Sequence, residues 1–73
     1  MTREEKLEAL AEILEEDAED LSENMELEGF DTWDSIAVLS IISLMNEQYD
    51  KYPHASEIRD LKTVGEVLDF ISE

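Results

Sequence analysis

Cysteine is absent from this chain of 73 residues, and glycine, proline and basic residues are scarce. Without cysteine the chain has no disulfide, no thiolate metal ligand and no cysteine nucleophile. Its two glycines and one proline seldom interrupt the periodic apolar residues, which argues against the disorder that a high net charge otherwise favours. Apolar runs such as residues 36–39 are far shorter than the ~20 residues needed to span a bilayer. We therefore expect a folded, soluble, cytoplasmic protein.

The charge of the chain is strongly one-sided. Its 21 acidic residues outnumber 5 basic ones and give a formal net charge of -16. Most of this charge precedes residue 35, since residues 1–34 hold 14 acidic and 2 basic residues whereas residues 35–50 hold 2 acidic ones. A surface this acidic repels nucleic-acid phosphates and anionic lipids, so we expect neither nucleic-acid binding nor membrane insertion. Basic patches on other proteins are the partners that this charge favours.

The length of the chain predicts a single domain over residues 1–73. The core of so small a domain is thin and leaves little room for a deep, preorganised active site. A serine hydrolase would need a base near its serine, but the chain has a single histidine, His54, and no Gly-x-Ser-x-Gly motif. A calcium loop of the Asp-x-Asp-x-Asp-Gly type is also missing from the sequence, so we predict no metal site. These features favour a protein that is not an enzyme.

The N-terminal half predicts a helix followed by a long loop. Thr2 to Glu5 form a capping box, in which the threonine hydroxyl and the glutamate carboxylate each bind a free backbone N–H. From Ser22 to Trp33 the helical period is lost and turn-forming residues appear, which indicates an ordered loop. The apolar residues that recur at helical spacing on one face of helix 1 are Leu7, Leu10, Ala11, Leu14 and Ala18.

A second long helix is predicted to begin after Asp34, whose carboxylate can accept hydrogen bonds from the free N–H groups of the first turn. Its apolar residues form a wide stripe that we expect to face the core, and its outer face is neutral for so acidic a protein. The predicted inner stripe contains Val38, Leu39, Ile41, Ile42, Met45 and Tyr49, and the predicted outer face contains Ile36, Ala37, Ser40, Ser43 and Glu47.

The rest of the chain predicts two further helices. Pro53 ends the region of helix 2, and residues 56–61 are long enough only for a short helix. Thr63 to Glu66 form a second capping box, after which apolar residues recur at helical spacing up to Ile71. No segment alternates apolar and polar residues for long enough to predict a strand. The sequence therefore predicts an all-α four-helix bundle with a long loop between helices 1 and 2 and a short helix 3.

Ser35 is the residue whose predicted position favours a covalent modification. It should be exposed in the first turn of helix 2, where free N–H groups and the positive end of the helix dipole favour an attached phosphodiester. Serine and aspartate are also common at helix starts for structural reasons alone. The tripeptide Asp34-Ser35-Ile36 is therefore compatible with an ordinary helix start as well.

Over nearly all of its length the chain resembles the acyl carrier protein family. Residues 34–36 look like the family's Asp-Ser-Leu attachment motif, with isoleucine in place of leucine, and the apolar helix that follows ends in Glu-Gln-Tyr-Asp at residues 47–50. Leu-Lys-Thr-Val at residues 61–64 and Val-Leu-Asp-Phe-Ile at residues 67–71 are similar to the family's closing helix with its threonine cap. The order, spacing and acidity of these segments agree with the family pattern.

The resemblance implies a carrier without catalytic activity. Ser35, preceded by Asp34, would receive 4′-phosphopantetheine from coenzyme A, donated by a separate phosphopantetheinyl transferase. The terminal thiol of this group would hold an acyl group as a thioester. Acyl-activating, condensing or acyl-transfer enzymes of fatty acid, polyketide or related lipid synthesis would be the further partners.

Two sets of residues acquire expected roles from this resemblance. Helix 2 would be the surface that partners recognise, with Ile36 as the apolar residue that they receive and Ala37, Ser40 and Glu47 beside it. A second set would line the cleft that shelters an acyl chain, although burial in the core explains these residues equally well. These acyl-pocket candidates are Val38, Leu39, Ile42, Ile58, Leu61 and Leu68.

Departures from the family pattern narrow the type of carrier that we expect. Residues 32–33 are Thr-Trp where many members have glycine and a small residue or histidine, and helix 2 has Ala37, Ser40 and Asn46 where carriers of general fatty acid synthesis present acidic residues. We therefore expect a specialised, stand-alone, monomeric carrier with its own set of enzymes. A peptidyl or aminoacyl carrier is an alternative, although such relatives are usually less acidic and have Gly-Gly before the attachment motif. An acidic helical interaction module in which Ser35 is never modified is the other alternative.

Overall fold

The computed structural model describes residues 1–72, which contain four α-helices and no β-strand. Between α1 and α2 the chain makes two short 3₁₀ turns, at Ala18–Asp20 and Leu27–Gly29. The predicted all-α fold, with a long first loop and a short third helix, is confirmed. Within residues 1–72 no helix is both long and apolar enough to cross a membrane. The helices are α1 (Arg3–Leu14), α2 (Ser35–Tyr49), α3 (Ala55–Arg59) and α4 (Val64–Phe70).

Side-chain caps start α1 and α4. The predicted capping box of α1 is present, since Glu5 N–H donates to Thr2 Oγ1 at 3.1 Å and Thr2 N–H donates to Glu5 Oε1 at 2.7 Å. At α4, Glu66 N–H donates to Thr63 Oγ1 at 3.2 Å. The Glu66 carboxylate, however, accepts from the Thr63 hydroxyl at 3.5 Å rather than from the Thr63 backbone. The second predicted capping box is therefore only half formed.

The C-terminal end of α1 differs from the prediction. The helix stops at Leu14, and Ala18 lies in a 3₁₀ turn instead of on the helical stripe. Glu15 adopts the left-handed backbone conformation (φ 60°, ψ 38°), and Glu16 N–H donates to Ala11 O at 2.9 Å. This is the hydrogen-bond pattern of a Schellman motif, which usually has glycine at the left-handed position. The sequence has glutamate at this position, so no glycine indicated where the helix ends.

Replacing Glu15 by glycine is expected to stabilise the fold by about 1 kcal/mol, because a side chain in the left-handed conformation crowds the backbone and this carboxylate lies at the negative end of the helix dipole. Thermal unfolding followed by circular dichroism would measure the gain, which corresponds to a rise in Tm of about 4–8 °C for a domain of this size. The matched control Glu15→Gln removes the charge but keeps the strained backbone, so it should recover only a small part of the gain. A Glu15→Gly variant that melts no higher than the wild type would contradict the prediction.

The hydrophobic core lies where α1, α2 and α4 meet the loop and α3. α3 contributes Ile58, which is fully buried, and the loop contributes Leu27. The side chains of Phe30, Trp33 and Tyr49 pack against the outside of this core. The buried residues of the core cluster are Leu10, Leu14, Leu27, Val38, Ile41, Met45, Ile58, Val64, Val67, Leu68 and Ile71.

Backbone hydrogen bonds attach the long loop to the first turn of α4. Val64 N–H donates to Met25 O at 3.0 Å, and Gly65 N–H donates to Glu23 O at 2.8 Å. These bonds satisfy two of the N–H groups that a helix leaves free at its N-terminus. A Cβ at position 65 would lie 3.1 Å from both Cβ and O of Glu23, so glycine allows this close approach of loop and helix.

Arg3 joins the start of α1 to the loop and to α4. Its guanidinium donates to Glu23 through Nε at 2.9 Å and Nη2 at 2.6 Å, and to Asp69 through Nη1 at 2.8 Å. The hydrogen bond from Arg3 lowers the pKa of Glu23. Since the folded pKa lies below the ordinary value, the contribution of this contact to stability is present above the ordinary glutamate pKa and is lost as the pH falls through the lowered one. All three side chains are exposed, so salt screens these contacts.

Candidate functional site

The turn that leads into α2 is fixed against the end of α1. Thr32 Oγ1 donates to Leu14 O at 2.8 Å, which satisfies one of the carbonyl groups left free at the C-terminus of α1. Trp33 N–H donates to Phe30 O at 3.1 Å, and Asp34 N–H donates to Thr32 O at 3.0 Å. The residues that precede Ser35 are therefore held in a defined position relative to α1.

Asp34 caps α2, as the sequence predicts. Its Oδ1 accepts hydrogen bonds from Ile36 N–H at 3.0 Å and from Ala37 N–H at 3.1 Å. Ser35 follows as the first residue of the helix and is exposed. Because the Asp34 carboxylate already occupies these two N–H groups, the helix dipole favours a phosphodiester on Ser35 less than the sequence alone suggests. Accessibility of the hydroxyl, rather than an anion site, is what the structure provides at Ser35.

An open groove of about 790 Å³ runs between α1 and α2, beside Ser35. We call it the α1–α2 groove. On the α1 side it is lined by Ala9, Glu12, Ile13 and Glu15, at the α2 start by Thr32 and Asp34, and along α2 by Ile36, Ala37, Leu39, Ser40, Ser43, Leu44 and Glu47.

The four residues predicted to bind partners all line this groove. Ile36 is 72% exposed, and Glu47 is exposed as well. Ser40 is half-buried, and its hydroxyl donates to Ile36 O at 3.0 Å. The predicted outer-face position of Ala37 is wrong, because only 2% of this residue is exposed and it packs toward the interior. It can contribute to the floor of the groove but not to an exposed ridge.

The acyl-pocket candidates divide into an inner and an outer group. Val38, Ile58 and Leu68 belong to the core cluster, and Ile42 and Leu61 are half-buried against it. The predicted inward position of Leu39 is wrong, because 60% of this residue is exposed and it lines the α1–α2 groove. The structure therefore brings five of the six candidates together around one core and places the sixth outside.

The contribution of α1 to the groove was missed by the sequence analysis. Ala9 and Ile13 are four residues apart and so share a face of α1, to one side of the predicted apolar stripe. An apolar residue such as Ile13 outside the main stripe is a signal of a second contact surface. Glu12 and Glu15 gave no such signal, because acidic residues are frequent throughout this half of the chain.

Metal binding finds no support in the part of the chain that the structure describes, since no three His, Cys, Asp or Glu side chains in it converge to form a possible metal site. His54 lies at the start of α3, beyond the C-terminal end of α2, where its N–H donates to Glu57 Oε2 at 2.9 Å. Ser35 is at the opposite end of α2. Residues 35–49 would span about 22 Å as a helix, so the geometry does not pair this histidine with the serine.

Comparison with known protein families gives a match over most of the chain. A family model described as a phosphopantetheine attachment site matches residues 7–71, which is most of the chain and includes Ser35, α2, α3 and α4. No curated protein and no solved structure matches the chain.

Proposed function

Because the chain belongs to the phosphopantetheine attachment site family, we propose that it is an acyl carrier protein whose prosthetic group is attached to Ser35. The group that this family holds covalently is 4′-phosphopantetheine, and the predicted family resemblance and cofactor are thereby confirmed. When bound, the group supplies a terminal thiol to which acyl groups are esterified. The observation that carries the assignment to Ser35 is its exposed position at the head of α2, directly after the capping residue Asp34.

The other hydroxyl groups of the chain help to single out Ser35. Several of them have structural hydrogen bonds that a modification would disrupt. Thr2 and Thr63 accept from backbone N–H groups at the start of α1 and α4, and Thr32 donates to the end of α1. Ser40 donates to a carbonyl of its own helix. An exposed hydroxyl at the start of a long helix is the more accessible acceptor for a transferase.

The role that we propose for the chain itself is presentation rather than catalysis. Ser35 has no histidine near it, and the chain contributes no thiol of its own because cysteine is absent. A separate transferase would therefore install the group, and other enzymes would act on the acyl thioester. Tethering raises the effective concentration of the acyl group at these enzymes.

An acyl cargo is supported by the chemistry of the core next to α2. Val38, Ile58 and Leu68 are almost completely buried, so an alkyl chain that entered there would meet hydrocarbon side chains. Entry would require neighbouring elements to move apart, and α3, with five residues, is the shortest α-helix in residues 1–72. Short helices depend on tertiary packing for their stability and open more easily than long ones. We propose that α3 moves to admit the acyl chain. We also propose that the protein serves a cytoplasmic pathway of fatty acid, polyketide or related lipid synthesis.

Incubation with coenzyme A and a broad-specificity phosphopantetheinyl transferase tests the proposed function. We expect the intact mass of the chain to increase by one phosphopantetheine group, because the Ser35 hydroxyl is accessible at the surface. A well-characterised carrier protein in the same tube shows that the transferase is active. If that carrier is modified and this chain is not, the proposed function is contradicted, and the result favours a degenerate carrier or the acidic interaction module instead.

A further inference from the structure

We propose that the α1–α2 groove is the surface on which enzymes that act at Ser35 dock, and that α1 forms half of this surface. The occupant is a segment of the partner enzyme that carries an apolar side chain flanked by lysine or arginine. This inference rests on the proposed function, because it takes Ser35 as the residue on which those enzymes act. It goes beyond recognition of α2 alone, since it assigns a docking role to α1.

The floor and one rim of the groove are apolar and uncovered. Five large hydrophobic residues are exposed in the described part of the chain, and two of them, Ile36 and Leu39, line this groove. Ile13 and Leu44 lie half-buried beside them. Contiguous exposed apolar surface with a polar rim is typical of protein interaction sites. A single apolar side chain of a partner could cover Ile36 and contact both helices.

The charge of the groove selects the chemistry of the occupant. Glu12 and Glu15 lie on the α1 side, and Asp34 and Glu47 lie on the α2 side. None of the described residues that line the groove is lysine or arginine. A second copy of this chain, which also carries a charge of -16, would be repelled. Basic residues on the partner would instead meet carboxylates on both walls, which increases the association rate and selects the orientation.

The position of the groove connects it to the site of modification. Ser35 lies between Asp34 and Ile36, and both of these residues line the groove. An enzyme whose active site reaches Ser35 must therefore cover the adjoining surface. The hydrogen bond from Thr32 to Leu14 holds the end of α1 beside this surface, so Glu12 and Glu15 occupy a defined position relative to Ser35. A partner bound at Ser35 would have the α1 wall within its footprint.

Kinetics of transfer from coenzyme A by a broad-specificity phosphopantetheinyl transferase test this docking role. The variant Glu12→Gln/Glu15→Gln removes two charges from the α1 wall, and its KM for the carrier should rise about two- to tenfold with kcat unchanged. Its KM should also depend less on salt concentration than that of the wild type. The matched control Glu8→Gln/Glu16→Gln removes the same charge from exposed residues outside the groove, and it should keep the wild-type KM.

The outcomes separate the two proposals. If the wild type is modified and both double variants keep the wild-type KM, the docking role of α1 is wrong and the carrier function stands. If both double variants are impaired equally, net charge rather than the groove determines binding, and the docking role is again wrong. If the wild type is not modified at all while a known carrier is, the proposed function itself fails.

Discussion

Replacing Ser35 by alanine is expected to abolish the gain of phosphopantetheine completely, because the variant lacks the hydroxyl that forms the bond to phosphorus. Intact mass after reaction with coenzyme A and the transferase would show the unmodified chain alone. The fold should be unaffected, since Ser35 is exposed and the Asp34 cap uses the N–H groups of residues 36 and 37. An unchanged circular dichroism spectrum would show that the loss is chemical and does not reflect unfolding.

Ser56 provides the matched control for this variant. It is an exposed serine in α3, outside the α1–α2 groove. We expect Ser56→Ala to gain the group as the wild type does. A Ser35→Ala chain that still gains one group would place the attachment at another hydroxyl, and loss of modification in both variants would show that the loss is not specific to the Ser35 hydroxyl.

Replacing Leu68 by alanine is expected to lower the free energy of unfolding by about 2–5 kcal/mol, because it removes three buried carbons and leaves a cavity. Leu68 is 0% exposed and belongs to the core cluster. Small domains have total stabilities of only about 0.05–0.15 kcal/mol per residue, so this loss could unfold much of the population. Chemical denaturation followed by circular dichroism measures the effect.

Leu39→Ala is the matched control, because it makes the same chemical change at another acyl-pocket candidate. Leu39 is 60% exposed, so we expect a change in stability within about 0.5 kcal/mol. Equal destabilisation by the two variants would contradict the structure's assignment of Leu68 to the inside and Leu39 to the outside. If an acyl chain enters the core as proposed, attachment of an acyl group should restore part of the stability that the Leu68→Ala variant loses. It should restore no stability to the Leu39→Ala variant.

Features that depend on local chemistry were predictable from the sequence. The caps at Thr2 and Asp34 are examples, because the residues that form each hydrogen bond are at most three positions apart. The number and order of helices followed from hydrophobic periodicity and from Pro53. The early end of α1 was not predictable, because Glu15 takes a backbone conformation for which glycine is the usual residue.

The orientation of α2 could not be derived from periodicity. Residues 36–39 are all apolar, so the helix is hydrophobic on every side near its start and the pattern does not determine which side faces the core. In the structure the small Ala37 points inward and the larger Leu39 points outward. This choice depends on how the helices pack against one another. The α1 wall of the groove was missed for the same reason, because it exists only once α1 and α2 are side by side.

The contacts of Arg3 have a consequence for the order of folding. They join residues 20 and 66 positions apart, whereas the hydrogen bonds within a helix close over four residues. Closing a long loop costs more entropy than closing a short one, so helices form before such distant contacts. The Arg3 contacts therefore belong to the late part of folding. Interactions that are absent from the transition state act mainly on the unfolding rate, so we expect the Arg3 contacts to slow unfolding rather than to speed folding.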